Sequence, residues 1–416
     1  MSTEASDVRS QDVVTREGWK DGPPHELFAE MRSQCPIHWS EKFDEFPEEA
    51  GYWSITKADD VKTVSRDWRT YSSELGGVTA ANGVFPLELA RAMFIGMDPP
   101  KHDRLKALFQ MGFTPKRIAQ HEETIREITV GVLDRLEGRD TCDLVEDVAQ
   151  PVVARVIGSL MGIAPEDDII WARLMNASLG ADDPDLNPDG MEAVMTKLVP
   201  EIFERCGKMI AERRESPTDD LTSLLVHAEI EGETLEEHEI VMGFFLLVAA
   251  GNDSTKATYC HGMRAIMSDP EQRGLLLDDP ARVPEAVEEA LRMFPAFAHF
   301  RRTATCDTEL SGQKIRKGEK VVLWYVSSNR DEDYHSEPDR FDLRHDVPHQ
   351  AFGAGGRHFC LGTALARLEL RILIEETLKR YPEIALDGDV THVVSGFLNQ
   401  LKTLPVKLGP RAAVSP

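Results

Sequence analysis

The residues best placed for chemistry lie in the stretch 351–370, AFGAGGRHFCLGTALARLEL. Gly353, Gly355 and Gly356 let the backbone bend sharply and approach a flat ligand where a Cβ would clash. Cys360 follows, at the start of an apolar-striped segment that reads as a helix to about residue 379. Backbone N–H groups at a helix start favour a thiolate and lower its pKa. The thiolate is the form that binds iron. Haem ligation, phosphate binding and a buried structural cysteine all fit such a loop. The Lys-Ser/Thr ending of a phosphate loop is missing, which favours haem. A second stretch, 250–255, reads AGNDST. Ala250 and Gly251 are small and leave room at a helix surface. Asp253 and Ser254 supply an acid and an alcohol, a pairing able to relay protons. Glu289 and Arg292 stand three apart, on one helical face.

The whole chain narrows the setting. Across 416 residues, 72 acids against 47 bases give a net charge of −25. Nucleic acid as a partner needs an accumulated basic surface, so it is excluded as the main one. The six cysteines are scattered with no CxxC pair, which argues against a disulfide scaffold or a zinc site and for a reducing cytoplasm. Residues 1–14 are polar, with no signal core. The longest strongly apolar run, 240–250, is too short for a membrane span. A soluble cytoplasmic protein without a membrane anchor is expected, with electrons from a separate protein or a small oxidant.

Positioning falls to elements legible as patterns. Residues 1–20 read as a flexible arm, 21–410 as one domain and 411–416 as a flexible tail. Helical periodicity marks 24–31, 57–65, 124–136, 144–161, 195–213 and 284–293. A longer helix starts at Thr234, where Glu237 completes a capping-box pattern, and runs to about residue 267. Residues 52–56, 318–326 and 401–408 read as strands. The loop 76–89 is expected to face the substrate as a lid. The acidic loop 180–190 reads as turn chemistry with solvated carboxylates. The fold class is therefore mainly α with a minor β part.

Taken together, Phe352-Gly-x-Gly…His358-x-Cys360-Leu-Gly362 resembles the haem-binding signature of the cytochrome P-450 superfamily. Three further motifs fall in that family's order: Ala250-Gly-Asn-Asp-Ser-Thr255, Glu289-Ala-Leu-Arg292 and Pro338-Asp-Arg340-Phe341. The resemblance covers nearly the whole chain. It implies the triangular helical haem-thiolate fold and haem b (iron protoporphyrin IX), with Cys360 as axial ligand to the iron. His102, Lys106, Arg302 and His358 then face the haem propionates, and Phe352, Gly353, Gly362, Ala250 and Gly251 contact the haem. Asp253, Ser254 and Thr255 become the proton relay. Glu289, Arg292 and Arg340 become a buried structural network.

The implied activity is monooxygenation: hydroxylation of an apolar substrate by O2 and two electrons from a ferredoxin and its ferredoxin reductase. Five basic residues (Lys101, Arg104, Lys106, Lys116, Arg117) against one acid, Asp103, suggest a docking face for an acidic ferredoxin. Phe245, Ala249, Phe297 and Phe397 are expected in the substrate wall, and His299 in the core or beside a propionate. The chain departs from the family in three places. Ser254 stands where threonine is usual, and Lys106 where arginine is. Phe352 lies eight positions before Cys360, one more than usual. That extra residue and the tail 399–406 are similar to actinobacterial members that oxidise sterols and branched isoprenoid lipids, so the resemblance implies a terpenoid, steroid or branched lipid. The competing readings are a peroxide-driven peroxygenase, disfavoured by the Asp253–Ser254 pair, and a haem sensor or carrier, disfavoured because no output region is visible.

Overall fold

The computed structural model describes residues 12–82, 87–180, 183–230, 232–345 and 348–412. Eight of its helices position the site: α1 (His25–Gln34), α2 (Lys101–Gln110), α3 (Gln150–Met161), α4 (Asp168–Leu179), α5 (Val199–Glu215), α6 (Glu237–Ser268), α7 (Val283–Met293) and α8 (Thr363–Arg380). The 32 residues of α6 make a rod about 48 Å long through the middle of the main core. Its capping box is Glu236 with Glu239, not Thr234 with Glu237. Thr234 instead pairs with Glu229 in a short hairpin, so the chain turns helical slightly later than the pattern suggested. Five strands form the main sheet: β1 (Ile37–Lys42), β2 (Ala50–Ile55), β3 (Tyr71–Ser72), β4 (His299–Ala304) and β5 (Lys320–Trp324). Their order is β1-β2-β5-β4-β3, with only β5 and β2 parallel. The expected strand 401–408 is two pieces. Leu401–Thr403 joins residues 391–392, and Pro405–Lys407 joins a different sheet.

Three expectations change. Residues 12–20 belong to the domain rather than to an arm; residues 1–11 and 413–416 lie outside the described residues. Val13 and Trp19 are buried, and Trp19 stacks on Trp324 with ring centroids 5.8 Å apart. The Trp19 indole N–H donates to the Val13 carbonyl at 2.7 Å, so the segment is sealed to the aromatic core by its own polar atom. The loop 76–89 is shorter than expected, because Leu87–Ala92 is helical; residues 83–86 lie outside the described residues. In the acidic loop Asp183 is buried, not solvated. It pairs with Lys402 at 2.9 Å and accepts the Val394 N–H at 3.0 Å.

The Glu289–Arg292 pair is buried and bidentate, with both contacts at 2.7 Å. Arg292 also donates to the carbonyls of Asn329, Pro338 and Arg340, at 2.9–3.1 Å. Arg340 therefore contributes its main chain. Its guanidinium turns outward toward Glu271 and Glu337, so it is not the third charged member expected. The third side chain on Glu289 is His345, with Nδ1 at 2.9 Å from Glu289 Oε1. Removing one partner of a buried ion pair strands the other's charge. We expect Arg292→Ala to cost ~3–5 kcal/mol and to lose haem on purification. Arg340→Ala is expected to stay within about 0.5 kcal/mol. Denaturant titration of the two variants checks this; equal losses would contradict it.

Candidate functional site

One largely apolar cavity collects residues from the cysteine loop and the 250–255 stretch, with Leu291 from the Glu289–Arg292 motif. Cys360 reaches it from the loop before α8, with Gly362 as that helix's N-cap residue. The loop's shape depends on glycine. Gly353, Gly355 and Gly356 all have φ between +82° and +89°, and a Cβ on Gly356 would lie 2.6 Å from the Ser65 carbonyl oxygen. The Cys360 N–H donates to the Phe352 carbonyl at 2.9 Å, closing the loop. Burial raises the Cys360 thiol pKa, and the Gly362 N–H, Lys106 and Arg367 only partly offset it. The helix start alone therefore does not yield the lowered pKa that the sequence suggested. Desolvation of a sulfur among apolar side chains outweighs it.

His102, Lys106, Arg302, His358, Phe352, Gly353, Gly362, Ala250 and Gly251 all line the same cavity. Their chemistry fits a haem with two carboxylates. Arg302 is buried on β4, donates to the neighbouring Arg301 carbonyl at 2.7 Å, and makes no ion pair among the described residues. His102 is buried with Nε2 unpartnered. Its ring lies 4.3 Å from that of His358, whose Nε2 meets Ser73 Oγ at 3.2 Å. Burial pushes both histidines below their ordinary pKa. Lys106 is placed differently from the expected propionate contact. Its ammonium donates to the carbonyls of Arg357 and Phe359, at 2.5 and 2.7 Å, bracing the cysteine loop.

To the same cavity α6 presents Leu246, Leu247, Ala250, Gly251, Ser254, Thr255 and Thr258. This is one helical face, with steps of three and four. Phe245 and Ala249 fall off that face, so neither lines the cavity; Phe245 packs against Phe203 instead. Phe297 and Phe300 do line it, whereas Phe397 stands behind them in a second, smaller cavity. Asp253 also points away. It is buried, pairs with Lys256 at 2.7 Å and leaves Oδ2 unpartnered. Lys256 donates on to Gln150 of α3 and Asn176 of α4, at 3.0 and 2.7 Å. Ser254 and Thr255 stay with the cavity. Ser254 Oγ donates back to the Ala250 carbonyl at 2.6 Å.

Sequence reasoning missed Glu369. It lies on α8, fully buried, lines the cavity beside Thr255, and has Oε1 unpartnered. Burial pushes its pKa up to about 8, and the Thr255 hydroxyl offsets only part of that. The signal available was a lone glutamate on an apolar helix face nine residues past Cys360.

A family model described as Cytochrome P450 matches residues 283–393. A methyl-branched lipid omega-hydroxylase of Mycobacterium tuberculosis is 36% identical over 386 residues, 91% of this chain and 90% of that protein. A linalool 8-monooxygenase of Pseudomonas putida is 32% identical over 420 residues, 98% of this chain and 100% of that protein. A steroid C26-monooxygenase of Rhodococcus jostii is 34% identical over 390 residues, 92% and 81%. Among solved structures, a Mycobacterium marinum cytochrome P450 in complex with pseudoionone superposes with a TM-score of 0.90 at 36% identity, covering 98% of this chain and 100% of that one. Similarity of this extent, running from the N-terminal aromatic core to the C-terminal strands, places the chain in the cytochrome P450 family, as a P450 monooxygenase.

Proposed function

We propose that this monooxygenase hydroxylates a chain end of an apolar, branched substrate: a terpenoid, steroid or methyl-branched lipid. Its cofactor is haem b on Cys360, and its electrons come from a ferredoxin reductase through a ferredoxin. One observation carries the reading: Cys360 and the α6 residues Ala250, Gly251, Ser254 and Thr255 line one and the same apolar cavity. Bound haem supplies oxygen activation, with the thiolate favouring O–O cleavage. The chain's own residues do the rest. Ala250 and Gly251 leave room beside the haem slot. Leu247, Phe297 and Phe300 wall a dry chamber that selects an apolar substrate. An omega-hydroxylase and a steroid C26-monooxygenase are both named for chain-end positions, which supports chain-end attack here.

Protons reach the chamber from Glu369 through Thr255. Burial keeps Glu369 protonated at neutral pH, so it holds a proton where one is consumed. Asp253 serves from outside the chamber, held by Lys256. Electrons enter on the Cys360 side, where Phe359 is exposed. The basic patch there is narrower than the sequence suggested. Arg104 pairs with Glu239 and Arg117 with Asp219, which leaves Lys101 and Lys116 as its outward charges. No described helix is long and apolar enough to cross a membrane. A cytoplasmic setting with a soluble ferredoxin completes the proposal.

The test of function is a spin-state titration of the ferric protein with linalool, pseudoionone, a 3-keto steroid and a methyl-branched fatty acid. Turnover under isotopically labelled dioxygen with NADPH, ferredoxin and reductase follows. A product carrying one labelled hydroxyl at a chain end is expected; equal yield from hydrogen peroxide alone would contradict the proposal. For the relay, Thr255→Val and Glu369→Gln are each expected to slow product formation, on the order of 100-fold, and to raise peroxide release per NADPH. Ser254→Ala is expected to do less, and a larger loss there would move the relay to Ser254. Glu369 also predicts a pH effect. Its folded pKa, about 8, lies above the ordinary 4.5, so its contribution to stability is full below pH 4.5 and is lost as pH rises through 8. Glu369→Gln should flatten that decline in a melting series.

A further inference from the structure

The face of β4 turned away from the cavity carries His299, which is buried and lies outside the chamber described above. Each of its ring nitrogens meets a backbone group of fixed polarity. The Ala80 N–H donates to Nε2 at 3.0 Å, and Nδ1 faces the Gly396 carbonyl at 3.0 Å. An amide N–H can only donate and a carbonyl can only accept. The two contacts therefore require the neutral ring with its proton on Nδ1. Burial, which pushes the His299 pKa down to about 3, keeps it in that state at any physiological pH.

Two loops hang from this one ring. Loop 76–82 is further tied to β4 by the Arg301 N–H to the Val78 carbonyl at 2.8 Å, and by Arg301 Nη1 to Asn82 Oδ1 at 2.7 Å. The turn 395–398 is tied by the Ala298 N–H to the Phe397 carbonyl at 2.8 Å. Phe397 projects from that turn, with its centroid 5.4 Å from the His299 ring, 5.2 Å from Phe297 and 5.6 Å from Phe300. Phe297 and Phe300 face the substrate chamber. Phe397 and His299 face the second cavity, with Phe46, Thr79 and Ala81. The three phenylalanine rings are thus a partition between two cavities, and the His299 ring joins the loops that border it.

We propose that His299 is a specificity-determining positioning residue: by pinning loop 76–82 to the 395–398 turn across β4, it holds Phe397 behind Phe297 and Phe300, keeps the partition between the two cavities closed and so limits the length of substrate admitted. The proposal rests on the P450 reading above. Without both hydrogen bonds, the Ala80 N–H and Gly396 carbonyl are left buried and unpaired, and the turn gains by moving. Phe397 then swings aside and joins the second cavity to the chamber.

The experiment compares haem-loaded wild type, His299→Phe, His299→Gln and Phe397→Ala. Two readouts are taken: spin-state dissociation constants for linalool, as the short probe, and cholest-4-en-3-one, as the long one, and amide hydrogen exchange. His299→Phe keeps the ring and loses both hydrogen bonds. It is expected to shift the affinity ratio toward the long probe by about tenfold, and Phe397→Ala to do the same. His299→Gln, with one donor and one acceptor, is expected to hold the ratio within about twofold. Exchange in 78–81 and 396–398 should speed up in His299→Phe while α6 stays protected. An unchanged ratio and unchanged exchange in His299→Phe would overturn the proposal. If His299→Phe does not fold, Phe397→Ala decides, and an unchanged ratio there overturns it. If neither probe shifts the wild-type spectrum, the substrate class is wrong, and the exchange data, which need no ligand, decide the role of His299 alone.

Discussion

A sulfur anion inside an apolar chamber is unfavourable unless a cation meets it, and the rest of the structure answers to that constraint. Burial holds the Cys360 thiol above its ordinary pKa against the Gly362 N–H and two nearby cations. The protein accordingly supplies geometry rather than charge. Three glycines with positive φ shape the loop, Lys106 grips its carbonyls, and the Phe352 carbonyl accepts the Cys360 N–H. Under the proposed haem ligation, the iron would be that cation. Buried Arg302 and the unpartnered His102 Nε2 would then meet the two carboxylates that a haem carries.

The same economy governs α6, which works with two faces. One is small and apolar and carries the Ser254 and Thr255 hydroxyls into the chamber. The other buries a closed polar set, Gln150, Asn176, Asn252, Asp253 and Lys256, which ties α3 and α4 to the helix. A buried network of this kind rigidifies what it joins when its groups are satisfied, and Asp253 Oδ2 is the atom it leaves over. The acid and the hydroxyls adjoin in sequence yet stand in different environments. Glu369, distant in sequence, shares the chamber with Thr255 instead.

What was legible in the sequence was whatever a local pattern encodes. The glycine loop, Cys360, the long helix, the Glu289–Arg292 pair and the polar groups at His102, Arg302 and His358 are all read from spacing or from motif order. The structure brings them to one cavity or one buried pair. What escaped depends on the direction of a side chain or on a partner far along the chain. Asp253 sits one helical step off the cavity face, and Phe245 and Ala249 fall off it as well. Arg340 offers its carbonyl while the His345 ring meets Glu289. Trp19 looked like part of a polar arm because Trp324, against which it stacks, lies three hundred residues away. His299 was expected in the core or beside a propionate and is buried in the core, but its two loop partners were not legible because both are backbone groups.

The central claim is thiolate ligation by Cys360, and the carbon-monoxide difference spectrum of the reduced protein tests it most directly. The wild type is expected to show a thiolate-type, red-shifted Soret band and Cys360→Ala to lose it, with Arg340→Ala as a folded control that keeps it. A wild-type spectrum without that band, or a Cys360→Ala protein that retains it, would contradict the account.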